Sequence, residues 1–373
     1  MFERLIQALK RPHRPFDSFQ IEASTFIPVD CQICPRAVFA EHWVFQNMSP
    51  ETFQRIRSHF PLVRTVSFRG WGEPLENENI VAMVESAKEA DCLTTLTTNG
   101  VVLAEGLSRK LIGAGLDEIV IFLELASQDI QENLRRSASD ISTALAQVQR
   151  FIELRKEMQR DKMRVNLSFP MTRLNMRELP NLIPVAARMG ADEIVFANLD
   201  YLPDERWNIL RAFYHESPTG AFQQAVAEMQ QIGKKERIGV KIYPLQAREV
   251  PVCEADPPRK VFFAVDGSVA PCPYLRLPKK GDIPRIFLNK EYRVPQTIFG
   301  NINQEDLPGI WEKTSYRMFR EVFAKRREAE IDTAKILGAF SNLSLAEREK
   351  AMKMEPPPPL AEVCQTCYKA YGI

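Results

Sequence analysis

The feature that most constrains this chain is a sixfold alternation of short apolar runs with amphipathic segments across residues 19–200. FQIEAST (19–25), TVSFRG (65–70), CLTTLTTNG (92–100), DEIVIFLE (117–124), MRVNLSFPM (163–171) and DEIVFANL (192–199) have the composition of strands. Helical patterns separate them. One lies around residues 49–59 and opens on Ser49-Pro50-Glu51, a capping residue followed by proline at the first helical position. ENIVAMVESAKEA, LAEGLSRKLIGAG with its glycine stop, the stretch from about 129 to 158, and NMRELPNLIPVAARMG with an internal proline that predicts a kink complete the series. Apolar strands joined through helices form a parallel sheet covered by those helices, and repeated right-handed crossovers curl it toward a barrel. The two further units of a closed eight-stranded barrel are not found before the pattern changes, so the expected fold is α/β, a partial (β/α)6 TIM-like barrel. In this class the site lies at the strand C-termini, where Cys31, Gly70-Trp71-Gly72-Glu73-Pro74 and Asn99-Gly100 fall.

Residues 204–238 are mostly helical and polar in pattern, and after KIYPL the composition changes. VFFAVDGSVAPCPY reads as a hairpin turning at Asp266-Gly267. FGNINQEDLPGIW leads into the helical SYRMFREVFAKRREAE, and EPPPPL is an extended linker that returns the chain to a last cysteine pair. The basic segment RLPKKGDIPRIFLNKEYRVPQTI (276–298) reads as a solvated loop, with a cover over the site as the alternative. The expected division is an N-terminal helical segment at 1–18, the barrel at 19–238 and a second domain at 239–373.

The formal charge of +1 gives no reason to expect a nucleic-acid partner. No run approaches 18 apolar residues, so no transmembrane segment is expected, and the basic amphipathic start lacks the apolar core of a signal peptide. A cytoplasmic location follows as the expectation. Seven cysteines, an odd number, argue against a complete disulfide framework. Cys92 reads as a buried strand cysteine. Cys31-x-x-Cys34 and Cys364-x-x-Cys367 have metal-ligand spacing. With Cys253 and Cys272 on either side of the hairpin, Cys364 and Cys367 make a complete set of four, suited equally to zinc or to a 4Fe-4S cluster. Cys31 and Cys34 alone fit a dithiol redox pair, half of a metal site, or two core cysteines.

IEASTFIPVDCQICPR resembles the first strand and cluster loop of radical S-adenosylmethionine (SAM) enzymes, whose hallmark is C-x3-C-x2-C, often followed by Pro-Arg. Cys31, Cys34 and Pro35-Arg36 match, while Ile27 stands where the first cysteine belongs. FRGWGEPL resembles the family's glycine-rich loop that meets the SAM amino group, through Gly70, Gly72, Glu73 and Pro74. LTTNG, with Asn99, resembles the third strand's end. Glu124 and Ser127 in LELAS stand where relatives hold the SAM ribose or carboxylate, and Asn175 where a similar asparagine follows the fifth strand. Trp71 replaces a small residue of the glycine loop and either packs over the cofactor or fills the barrel mouth. Beyond the barrel, Cys253, Gly267, Cys272, Cys364 and Cys367 resemble in order the auxiliary-cluster extension of the SPASM and twitch subgroup, with cysteines enough for one auxiliary cluster.

The resemblance implies SAM as cofactor, a 4Fe-4S cluster at Cys253, Cys272, Cys364 and Cys367, and a second at Cys31 and Cys34. Such an enzyme acts by hydrogen abstraction on a peptide or small molecule, with an electron donor such as flavodoxin or ferredoxin. The absence of an added peptide-binding domain before residue 19 tilts the expectation from a ribosomal peptide toward small molecules. Isoleucine cannot ligate iron. The first cluster is therefore labile, completed by a distant ligand such as His42, or absent. In the last case the chain is a non-catalytic relative with a structural C-terminal cluster.

Overall fold

The computed structural model describes residues 14–27, 33–123, 141–339 and 357–373. Seven parallel strands follow one another across one sheet: β1 (Phe16–Ile21), β2 (Val63–Phe68), β3 (Leu93–Thr98), β4 (Glu118–Phe122), β5 (Arg164–Met171), β6 (Glu193–Asn198) and β7 (Gly239–Ile242). Each crossover carries a helix: α1 (Pro50–Arg57), α2 (Ile80–Glu89), α3 (Glu105–Gly113), α4 (Ile141–Glu157), α5 (Leu182–Met189) and α6 (Gly220–Glu236). Ser49 caps α1, its side chain accepting from the Thr52 backbone N–H at 3.2 Å.

Side chains alternate across the sheet. Phe19, Ile21, Val66, Phe68, Ile119 and Phe196 are fully buried. Burying a large apolar side chain of this kind is worth about 1.5–3 kcal/mol, and the stripe fixes the register. The alternate residues, paired as Gln20↔Ser67, Ser67↔Thr95 and Val120↔Asn166, give the other face of the sheet, called here the lumen, a mostly polar lining.

The sheet does not stop at six strands. GVKI, left outside the expected barrel, pairs with β6 from Glu193↔Gly239 to Phe196↔Ile242. At the other side β8 (Lys260–Phe263) pairs in parallel with β1, and β9 (Ser268–Ala270) and β12 (Gly300–Asn301) follow antiparallel. The hairpin that begins the C-terminal part thus extends the same sheet, which ends on β12 at one edge and β7 at the other. The β8–β9 turn spans Ala264–Gly267, and Gly267 takes φ +82°. A side chain there would lie 2.6 Å from the Asn303 amide, so glycine is required.

Several expectations are corrected. β1 starts at Phe16, so three residues of the expected 1–18 helical segment are strand; residues 1–13 lie outside the described residues. The predicted proline kink is instead a helix start, with Pro180 in a 3-10 turn and Pro184 in the first turn of α5, where its missing N–H costs nothing. Within 204–238 a 3-10 helix (Glu205–Leu210) and α6 are helical, and residues 211–219 are not. Segment 276–298 is not a solvated loop. It forms the hairpin β10 (Ile283–Phe287) and β11 (Lys290–Val294), turning at Leu288-Asn289 with both φ positive. Its Ile283, Arg285, Ile286 and Phe287 are buried. Helix α7 (Leu307–Glu312) joins the main core through Leu307 and Ile310, while α8 (Thr314–Ala339) places Phe323 in one apolar cluster with Val294 of this hairpin. Cys92 is buried as expected, 3.5 Å from the Phe60 and Val63 carbonyls.

Candidate functional site

The loop after β2 is pressed against the chain that leaves β1. A side chain at Gly70 would meet the Glu22 Cγ at 2.4 Å, and one at Gly72 the Ser24 carbonyl oxygen at 2.3 Å. Backbone cannot yield as a flexible side chain can. Gly72→Ala is expected to cost about 1–3 kcal/mol in chemical unfolding and to displace Phe26 and its neighbours at the mouth.

Glu73 is turned inward. One carboxylate oxygen accepts from the Leu75 N–H at 3.1 Å and caps the 3-10 turn Pro74–Glu76. The other accepts from the Asn99 N–H at 2.8 Å. Its own N–H donates to the Phe26 carbonyl at 2.7 Å. Glu73 therefore staples the loops after β1, β2 and β3 together. Asn99 in turn accepts from the Val101 N–H at 2.9 Å through its side chain.

Glu22, not anticipated from sequence, does a related job. It accepts from the Trp71 N–H at 2.8 Å and the Val265 N–H at 3.3 Å, joining the glycine loop to the β8–β9 turn. Burial pushes both the Glu22 and Glu73 carboxyls up to about 7 against the pull of these donors. The folded chain keeps protons that the unfolded chain releases near pH 4.5. Stability from these groups is therefore full below that value and falls as pH rises toward about 7, by up to about 3 kcal/mol each. Urea midpoints are expected to drop between about pH 5 and about pH 8, with a smaller drop in Glu73→Gln.

Cys34 is half-buried and opens the helical turn Pro35–Val38, its carbonyl accepting from Ala37 at 3.0 Å. Ile27 is half-buried. Cys31, Glu124 and Ser127 lie outside the described residues. His42 is exposed on the 3-10 turn Ala40–His42. Asn175 is buried and closes the turn after β5, accepting from the Thr172 N–H and donating to the Pro170 carbonyl, both at 2.8 Å.

The four distal cysteines come together. Cys253, Cys272, Cys364 and Cys367 line one cavity, walled by Leu275, Phe319, Phe323 and Val363. Backbone N–H groups of Ala255 and Asp256 reach the Cys253 sulfur, and that of Leu275 reaches Cys272. Burial, then the neighbouring Cys367, pushes the Cys253 thiol up to about 11. Cys272 and Cys364 are pushed further, by burial and by the other thiols. Four clustered sulfurs, Cys364 buried and the other three half-buried, with backbone donors aimed at two of them, fit a cationic iron–sulfur core. Among the described residues no three His, Cys, Asp or Glu side chains converge on a point that would hold a single ion; the thiols surround the cavity instead.

Arginines, which sequence reasoning did not single out individually, hold this layer. Arg326 from α8, 3% exposed, donates to the Pro251, Val250 and Pro358 carbonyls at 3.0, 3.2 and 2.5 Å. Arg285 donates to Val363 at 2.9 Å and Tyr274 at 2.7 Å.

The site also faces the lumen. Glu254, Tyr274 and Lys369 stand one or two residues past Cys253, Cys272 and Cys367 and reach residues at the strand ends. Lys369 pairs with Asp200 at 2.7 Å, Tyr274 donates to Asp200 at 2.8 Å, and Tyr243 donates to Glu254 at 2.6 Å. Trp71 neither lies free nor plugs the mouth alone. Its indole N–H donates to the Pro273 carbonyl at 2.8 Å, and its ring meets Tyr201 and Tyr274 edge-on. The glycine loop thus touches the segment that follows Cys272.

Residues 253–335 match the family model SPASM, an iron-sulfur cluster-binding domain; the match holds Cys253 and Cys272 and ends before Cys364 and Cys367. The chain is similar to the tungsten-containing aldehyde ferredoxin oxidoreductase cofactor-modifying protein of Pyrococcus furiosus, 23% identical over 306 residues, or 80% of this chain and 82% of that one. Among solved structures, SuiB of Streptococcus suis bound to S-adenosylmethionine shares the fold with TM-score 0.60 and 15% identity, covering 86% of this chain and 71% of that one. The structure of anSMEcpe with bound AdoMet and the Cp18Cys peptide does so with TM-score 0.54 and 15% identity, covering 95% of each chain.

Proposed function

We propose that this chain, which belongs to the radical SAM/SPASM superfamily, is an iron–sulfur oxidoreductase or modifying enzyme that acts by hydrogen abstraction on a peptide or small molecule. The observation that carries the reading is the cysteine quartet around one cavity, with Cys272 lining both that cavity and the barrel lumen. Cys253, Cys272, Cys364 and Cys367 would hold one 4Fe-4S auxiliary cluster, which supplies a one-electron relay beside the substrate. Gly70, Gly72 and Pro74, with Asn99, Glu124 and Ser127, would form the SAM site. Glu73 serves it from behind, by fixing the loops. The barrel at 19–238 would hold the substrate and the domain at 239–373 the auxiliary cluster. That anSMEcpe was solved with a peptide supports a peptide as one substrate class. A flavodoxin or ferredoxin would supply electrons in the cytoplasm. No helix among the described residues is long and apolar enough to cross a membrane.

Cys31 and Cys34 are one thiolate short of the three that leave a single iron open to SAM, so no chemical step is derived at that site. Ile27 favours a second reading, a non-catalytic relative with a structural C-terminal cluster. The experiment is anaerobic reconstitution with iron and sulfide, then dithionite and SAM. The first reading expects 5′-deoxyadenosine and SAM-perturbed EPR signals. A fully loaded protein that forms none, with a single cluster blind to SAM, sinks it and establishes the second.

A further inference from the structure

A cavity of about 260 Å³ lies between the glycine loop and the quartet, lined by Arg69, Trp71, Lys260, Cys272 and Tyr274 among others. We infer that it is a subsite for an anionic group of the substrate, a carboxylate or a phosphate, held by Arg69 and Lys260. The inference rests on the reading of the lumen as the substrate chamber.

The charges are uneven. Three cations, Arg69, Lys260 and Lys369, line the cavity against one carboxylate, Glu254. Lys369 is already engaged, by Asp200 at 2.7 Å and Glu254 at 3.6 Å. Tyr243 and Tyr274 donate to those same two carboxylates. Lys260 donates to the Glu254 main-chain carbonyl at 2.9 Å and has no ion-pair partner among the described residues. Arg69 follows β2 on the lumen face, in step with Ser67. Its main chain is bonded, the N–H donating to Ile21 at 3.1 Å and the carbonyl accepting from Gln20 at 3.0 Å, but its guanidinium makes no hydrogen bond or ion pair among the described residues, and Glu254 and Asp200 act on it only through space.

A planar fork of five donors, exposed along one wall of the cavity, matches a carboxylate or phosphate edge. Trp71, fixed by Pro273, and Tyr274 make an apolar wall beside the fork. The anion would lie next to Cys272, which places the remainder of the substrate between the auxiliary site and the glycine loop.

The test uses the full iron-loaded chain under anaerobic conditions at constant ionic strength. Inorganic pyrophosphate and glutarate are titrated in separate calorimetric arms. Saturable binding of at least one is expected, and the arm that binds separates phosphate from carboxylate. Arg69→Gln is expected to weaken it about tenfold or more, and Arg69→Lys less, because the fork is lost but the charge is kept. Lys260→Gln weakens it too and decides the matter if Arg69→Gln does not fold. Lys234→Gln, exposed on α6, leaves it unchanged. Saturation by neither anion, or unchanged affinity in the folded Arg69 and Lys260 variants, overturns the inference. SAM cleavage is read in parallel. Anion binding in a chain that cannot cleave SAM supports the subsite and counts against the enzymatic reading alone. Cleavage without anion binding overturns the subsite alone.

Discussion

Cys272→Ser is expected to lose its auxiliary iron and the visible absorbance of an iron–sulfur cluster, and to unfold at markedly lower denaturant. Serine offers a hard oxygen that stays protonated where a soft thiolate is needed. The position cannot be bypassed, because Cys272 sits where the quartet's cavity meets the lumen. The C-terminal residues depend on the same site. Cys364 and Cys367 lie in a tail that is also held by Arg285, Arg326, the Lys369–Asp200 pair, the Tyr368 hydroxyl and the backbone pairs Arg248–Tyr371 and Val250–Ala370. Loss of a bound metal centre belongs to the largest class of single-site effects, on the order of 4–5 kcal/mol. Iron and sulfide analysis with urea unfolding reads both consequences. Cys92→Ser is the control: that thiol is buried against Phe60 and Val63, remote in the fold from the quartet, and its iron content should match the parent.

Ile27→Cys is expected to raise iron at the Cys31 and Cys34 site, taking the chain toward about eight irons, and to strengthen the 4Fe-4S signal that SAM perturbs. Ile27 directly follows Phe26, whose carbonyl accepts from Glu73 at 2.7 Å, so the backbone there is already anchored to the glycine loop. Because Ile27 is only half-buried, a smaller side chain leaves no deep void. The substitution supplies the third thiolate of C-x3-C-x2-C and should increase 5′-deoxyadenosine formation over the parent by orders of magnitude. Iron counting, EPR with and without SAM, and product analysis check it. Unchanged iron and no SAM effect would mean that the loop is not built for a cluster.

The run of parallel strands was legible because β1, β2, β3, β4 and β6 each bury one stripe under helices. Val66 and Phe68, or Ile119 and Ile121, announce themselves by burial at period two. β7 was missed because GVKI is short and its alternate residues are exposed. The pairing of β8 with β1 joins residues more than two hundred positions apart, and no local pattern encodes it. β10–β11 reads as a loop because Pro284 and the charges of Lys290 and Glu291 mask the alternation, and because its turn uses Leu288-Asn289 without glycine. The alternation of Ile283 and Arg285 against Pro284 was too weak a signal, since burial of Arg285 comes from carbonyl partners far along the chain.

The quartet was legible from spacing alone. The residues beside it were not. Glu254, Tyr274 and Lys369 look like ordinary surface residues until the cysteines turn them toward the lumen. Glu73 reads from sequence as part of a cofactor loop, and nothing in that motif announces that its carboxylate also holds Asn99 and Leu75. Glu22 carried no motif, although a carboxylate at a strand's C-terminal end beside a glycine loop was a signal that could have been used.

Anomalous scattering at the iron and zinc edges from anaerobic crystals of the full chain tests the central claim most directly. The account predicts an iron peak enclosed by Cys253, Cys272, Cys364 and Cys367. A zinc peak there, or no metal with the four sulfurs as free thiols after reconstitution, would contradict it.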